Sequence, residues 1–279
     1  MSRKNFNTPE YTKRKRMRNI LSVSIFIVLF SALIYLVNIP YFKVKSIAVV
    51  GQQTITTRHL EESINEYLDE YWFWVIPKRN ILFVIPRKLD ERLKKEFSKI
   101  YKVDIDVDVD TLRVGIEERT PHSLWCTNKE YTSKFNQDCM FSDQRGLLYA
   151  RAPYFSDNVF LKIFVPKRVK QGERYLKPKA FESLFSFLDE LEKEKNISLQ
   201  SVVFLEHSDL ELYINRIGDT VFQEKPSIRM NMDTSYVQLK RNINVVLEQP
   251  DFIEKFSVNP QGLVSIDLRF DDRAFYQYR

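Results

Sequence analysis

From Ile20 to Ile39 the chain reads ILSVSIFIVLFSALIYLVNI, 20 consecutive residues without a charge. As an α-helix such a run is about 30 Å long, the thickness of a bilayer's hydrocarbon core. A helix lying on the surface of a soluble domain would carry one apolar stripe, whereas this stretch is apolar all round and flanked by charge on both sides, which disfavours a soluble core helix. A cleavable signal peptide has a shorter apolar region that ends in small residues. This one leaves through Tyr35, Leu36 and Val37. The expectation is an uncleaved transmembrane helix over residues 19–39.

Residues 1–18 carry Arg3, Lys4, Lys13, Arg14, Lys15, Arg16 and Arg18 against Glu10, which accounts for the whole net charge of +6. The remainder of the chain balances, so it offers no broad basic surface to a nucleic acid. Basic flanks stay on the cytoplasmic side of a span. The tail is therefore expected in the cytoplasm, and everything after Pro40 outside it.

The stretch YKVDIDVDVDTLRVGIEERTP, from Tyr101 to Pro121, places Asp104, Asp106, Asp108 and Asp110 at every second position. Read from Asp106 it approaches a calcium loop, with Asp108, Asp110 and Glu117 at ligand positions. However, Thr111 stands where that loop requires glycine for its sharp turn. Val103, Ile105, Val107 and Val109 separate the aspartates, and Leu112, Val114 and Ile116 continue the alternation. Period-two alternation predicts a β-hairpin with one core face and one wet face, turning near Asp110 and Thr111. No metal is expected here.

Around this hairpin the order is strand, helix, helix, strand, strand. YFKVKSIAVVG (41–51) reads as a strand. The helix that follows has Thr57 as its N-cap, with Leu60, Ile64, Tyr67, Leu68 and Tyr71 in one apolar stripe. An aromatic link containing Trp72, Phe73 and Trp74 comes next; it suits an exposed binding patch, an interfacial anchor or helix packing equally well. Pro86 opens a second helix, with Leu89, Leu93 and Phe97 on its buried side. Two helices on one face of a three-stranded sheet would bury both stripes together.

Residues 121–279 read as a second mixed α+β domain with an extended antiparallel sheet. It has a turn at Asp143–Gly146 and strands in NVFLKIFV (158–165), SVVFLEHSDLELYI (201–214) and DTVFQ (219–223). One amphipathic helix carries Phe181, Leu184, Phe185, Leu188 and Leu191 inward, and another is capped by Asp233. The chain's two cysteines, Cys126 and Cys139, both fall outside the span. In an oxidising compartment they either form a disulfide or remain buried thiols. His59, His122 and His207 repeat no zinc-ligand spacing with them.

The basic tail and single anchor, then YFKVKSIAVVG, NILFVI (80–85) and VDTLRVGIEERTPHSLW (109–125), resemble the FtsQ/DivIB family of bacterial cell-division proteins. The Leu112-x-Val114 strand, Glu118-Arg119-x-Pro121 and Trp125 carry most of the likeness. FSDQRGLLYARAP (141–153) and IDLRF (266–270) add to it. Each feature also has a local use: Pro121 ends a ladder, and Arg119 is placed to pair with Glu117 or Glu118. The resemblance implies a POTRA domain (β-α-α-β-β) over 40–120 and an FtsQ-type β domain over 121–279. It implies a plasma-membrane scaffold of the division septum. The implied partners are FtsB/DivIC-like and FtsL-like bitopic proteins and, through them, the septal peptidoglycan synthase complex. Carried over by position, the partner-binding residues are Arg269, Phe270, Asp271, Asp272, Arg273, Ala274, Phe275 and Tyr276.

No nucleophile elbow, paired zinc histidines, phosphate loop or dinucleotide fingerprint occurs in the chain, so neither an enzyme nor a cofactor is expected. The competing readings are a POTRA-bearing export or assembly factor and an anchored envelope enzyme.

Overall fold

The computed structural model describes residues 9–72, 74, 76–108, 110–127, 138–155, 159–205, 207–270 and 273–279. It is mixed α+β, with six α-helices among the described residues. The first, α1 (Pro9–Val37), includes a 24-residue stretch, Lys13–Leu36, long and apolar enough to cross a membrane. Its apolar side chains are left unpacked, as with Phe26 and Leu29. The rest of the chain divides into two compact units, which meet in sequence at Glu118 and Arg119.

In the first unit, β1 (Ser46–Val50) is followed by α2 (Thr57–Asp69) and a two-stranded ribbon, β2 (Tyr71–Trp72) with β3 (Ile76–Pro77). Then come α3 (Pro86–Glu96), β4 (Ile100–Asp108) and β5 (Thr111–Glu118). The sheet order is β1-β5-β4, with β1 parallel and β4 antiparallel to the central β5. Leu60, Ile64, Tyr67 and Leu68 of α2, with Leu89 and Leu93 of α3, bury against Leu112, Val114 and Ile116. The aspartate hairpin forms: Asp104, Asp106 and Asp108 are exposed, and Val103, Ile105 and Val107 pack on the core.

Two local expectations are corrected. The N-cap position of α2 belongs to Thr56 rather than Thr57, whose hydroxyl instead accepts a bond from the Gln52 side chain at 2.7 Å. Tyr71 leaves the apolar stripe because α2 ends at Asp69.

The second unit is built on one ten-stranded sheet. Its first half holds β6 (Ser123–Thr127), β7 (Cys139–Ser142), β8 (Leu148–Arg151) and β9 (Lys162–Val165), followed by α4 (Pro178–Lys193). β10 (Ile197–Phe204), β11 (Asp209–Ile217), β12 (Thr220–Val221) and β13 (Ser227–Asn231) come next. After α5 (Tyr236–Leu247) and α6 (Pro250–Val258), β14 (Leu263–Phe270) and β15 (Arg273–Tyr278) close the chain. The strand order is β15-β14-β13-β11-β10-β9-β6-β7-β8, with β12 beside β11.

This sheet is mixed rather than wholly antiparallel. The pairs β9–β10, β6–β9 and β13–β14 run parallel. Parallel neighbours need a crossover, and α4 provides one between β9 and β10, while α5 and α6 provide another between β13 and β14. The main core lies under these helices, around Trp125, Phe187, Ile163, Leu212, Ile243 and Ile266.

Within α4 both Phe181 and Phe187 are deeply buried, while Phe185 is half-buried, packed on the edge of the core beside His122. Ser235, not Asp233, caps α5: its hydroxyl accepts from the Gln238 backbone N–H at 3.2 Å. The helix α6 was not anticipated. Its Phe252 and Phe256 face inward, while Pro250 opens its first turn.

Candidate interaction edge

A sheet's end strands carry backbone groups that only one neighbour can satisfy. The large sheet has two such margins, β8 and β15, and the chain treats them differently. At β8 the segment 172–174 lies alongside: Gly172 N–H donates to the Leu148 carbonyl at 2.7 Å, and Leu148 N–H donates to the Glu173 carbonyl at 2.9 Å. A further bridge joins Leu147 and Arg174. On the outer margin of β15 no backbone partner lies among the described residues.

β14 and β15 form the hairpin that presents this margin. Ile266 pairs with Tyr276, Asp267 with Phe275 and Phe270 with Arg273, and a bulge falls between Asp267 and Phe270. Such a bulge twists the strand and re-aims its side chains. Along β15 exposure alternates strictly. Ala274, Tyr276 and Tyr278 pack on the core, while Arg273, Phe275 and Gln277 face solvent.

The residues expected at the site therefore divide. Phe270 and Phe275, 48% and 50% exposed, meet edge to face at 5.1 Å and form an aromatic knob at the end of the hairpin where β14 leads into β15. Tyr276 instead packs its ring 5.2 Å from Phe252, and its hydroxyl donates to Asp251. That bond raises the Tyr276 pKa and, with Lys255, lowers that of Asp251. Tyr278 lies behind it, its pKa raised to about 12 by burial and then by Tyr276. Asp271 and Asp272 lie outside the described residues.

Arg269 is held rather than free. It bonds Asp267 at 2.6 Å and Asp209 at 2.9 Å, which pushes the guanidinium pKa upward. Burial raises the pKa of Asp209, but bonds from Asn231 and Arg269 outweigh it and leave the carboxyl below its ordinary value. Asp267 behaves alike: burial raises its pKa, and the stronger hydrogen bonding from Arg269 brings it down. With Asn231, Asp233, Thr234 and Phe270, Arg269 and Asp209 line a shallow depression beside the hairpin. Behind it Asn242, 3% exposed, donates to the Phe270 carbonyl at 2.8 Å and fixes the end of β14.

Sequence reasoning missed Asp209, Asp267 and Asn242. Asp209 and Asn242 lie on β11 and α5, far along the chain from Arg269. Asp267 stands two positions before Arg269 on β14, and the strand's period-two spacing, which puts both on one face, was the signal that could have found it.

Near the start of the second unit, Cys126 and Cys139 face each other across β6 and β7 and are joined as a disulfide. Arg119 pairs with Asp143, not with the adjacent glutamates; both partners are largely buried. Asp143 also accepts from the Arg145 and Leu147 backbone N–H groups at 2.9 Å, which closes the turn around Gly146. Among the described residues no group of three or more histidine, cysteine, aspartate or glutamate side chains is arranged to hold a metal.

The chain matches no family model and no curated protein.

Proposed function

We propose that this protein is a single-span, non-catalytic scaffold of the FtsQ/DivIB kind. In this reading it resides in the plasma membrane at the division septum, with its basic tail in the cytoplasm and both folded units outside. It gathers small bitopic proteins of the FtsB/DivIC and FtsL types and, through them, the septal peptidoglycan synthase. The β1-β5-β4 sheet with two helices on it suits the expected POTRA unit. The observation that carries the reading is the unpartnered outer margin of β15, in a sheet whose other margin is strapped.

In strand addition, main-chain bonds supply affinity and alternate side chains supply specificity. A partner strand laid along β15 meets Arg273, Phe275 and Gln277 on the solvent face. The Phe270–Phe275 pair would act as its anchor, since large rigid rings near an interface centre dominate binding. Arg269, locked by Asp209 and Asp267, holds the hairpin in place and leaves direct contact to the aromatics.

The test is affinity purification of the full-length protein from the membranes of its own cells, beside a Phe275→Lys variant. The wild type should retain small bitopic division proteins and label midcell as a fluorescent fusion. The variant should lose those partners while keeping its fold. An even rim of label, or identical partners from both forms, would count decisively against this reading.

A further inference from the structure

The ribbon β2–β3 has no role in the edge just described, yet it exposes more apolar surface than a solvated turn warrants. Trp74, at its tip, is 96% exposed and has φ of 67°, a conformation bulky side chains rarely adopt. Tyr71 at 60% and Leu82 at 70% stand on either side of it in sequence. Trp72 is only half-buried, with the Lys88 ammonium 3.9 Å from its ring centre and that of Lys78 at 5.3 Å. Packing of Trp74 into a helix interface is thereby ruled out.

Backbone bonds tie this region to the residues that follow α1. Val44 N–H donates to the Arg79 carbonyl at 2.9 Å, and Ile81 N–H donates to the Phe42 carbonyl at 2.8 Å. A bridge between Lys43 and Asn80 lies between them. Phe42 is only six residues beyond Leu36, where the apolar stretch ends. Even fully extended, that connection covers only about 20 Å. The loop 78–82 is thus tethered close to the end of α1, and the ribbon leaves directly from it. Tyr41, 75% exposed, sits on the tether itself.

Tyr and Trp are the residues that favour the boundary between headgroups and acyl chains, since each has an apolar body and a polar tip. We propose that the Trp74 ribbon, together with Tyr41 and Leu82, rests in the headgroup layer of the membrane that α1 crosses. The occupant is lipid. The exposed rings would then hold the first unit against the bilayer surface and limit its swing about the Pro40 connection. This inference relies on α1 spanning the membrane, as the proposed function does.

The test uses the full-length protein in vesicles of phosphatidylethanolamine and phosphatidylglycerol, with or without bromine on the upper acyl chain. Trp125, 1% exposed in the core of the second unit, supplies background emission. Brominated lipid should quench part of the tryptophan emission, and W74A should remove at least about half of the quenchable component, whereas Trp72→Phe should leave most of it. Trp74 touches no core, so W74A should fold normally. Equal emission with and without bromine, from protein that survives an alkaline carbonate wash, would overturn the proposal while leaving the anchor standing. Protein stripped from the vesicles by the wash would remove the anchor itself, and this inference with it.

Discussion

Glu118 and Arg119 are adjacent, and an ion pair between them, or between Arg119 and Glu117, is what their spacing suggests. Instead the Glu118 carboxylate accepts three backbone N–H bonds, from Gln53 at 2.7 Å, Thr54 at 2.8 Å and Ile55 at 3.0 Å, and the Thr54 hydroxyl adds another. The clamp fastens the loop between β1 and α2. In that loop Gly51 has φ of 87°, and a Cβ there would collide with the Ile116 carbonyl. Burial raises the Glu118 pKa, but the bonds from Thr54, Ile55 and Gln53 lower it further, so the net shift is downward. A carboxyl with a depressed folded pKa stabilises fully above its unfolded value, about 4.3, and the contribution disappears as pH falls through the folded value. Glu118→Gln should therefore cost the first unit about 2 kcal/mol at neutral pH, charged hydrogen bonds being worth roughly 1.5–3 kcal/mol each. The gap between variant and wild type should narrow below about pH 4. Chemical denaturation at several pH values, followed by amide exchange in residues 52–60, measures this; a gap independent of pH would remove Glu118 from the role. That Glu118 and Arg119 mattered was readable along the chain. Their partners, Thr54 and Asp143, lie 64 and 24 positions away and were not.

Among elements, β15 divides most clearly into a structural face and a free face. Its inward Tyr276 packs on Phe252 of α6, whereas its outward Phe275 contacts chiefly Phe270. Tyr276→Ala should destabilise the second unit by about 2 kcal/mol, the order expected for removing a half-buried ring. Phe275→Ala should change stability by less than about 0.5 kcal/mol, yet weaken partner binding about 30-fold, equivalent to about 2 kcal/mol. Thermal melting and a binding titration on the same two variants separate these effects. Equal melting losses would show that both rings serve the core. Period-two spacing in RAFYQY gives the alternation, but it leaves open which set faces inward. The unforeseen α6 decides that, because Phe252 and Phe256 cover the face on which Tyr276 and Tyr278 stand.

For the whole molecule the units should unfold separately, since each encloses its own core. The Cys126–Cys139 bond, 13 residues apart, belongs to the second alone. A loop of this length stabilises by roughly 3 kcal/mol through the chain entropy it removes from the unfolded state. Calorimetry of the full chain in detergent should show two transitions, and reduction should lower only one of them by several degrees; a shift of both would contradict the independence of the cores. Local patterns along the chain determined the apolar helix, the aspartate hairpin, the helix stripes of α2 and α3 and the mixed α+β character. Those properties depend on residues within a few positions of one another, where periodicity reports burial directly. Only the tertiary structure decided the three parallel pairings of the large sheet, the strap over β8, the open margin of β15 and the grip of Asp209 on Arg269. Strand neighbours are chosen by how crossovers bury whole helix faces, and that choice brings together residues from distant parts of the sequence.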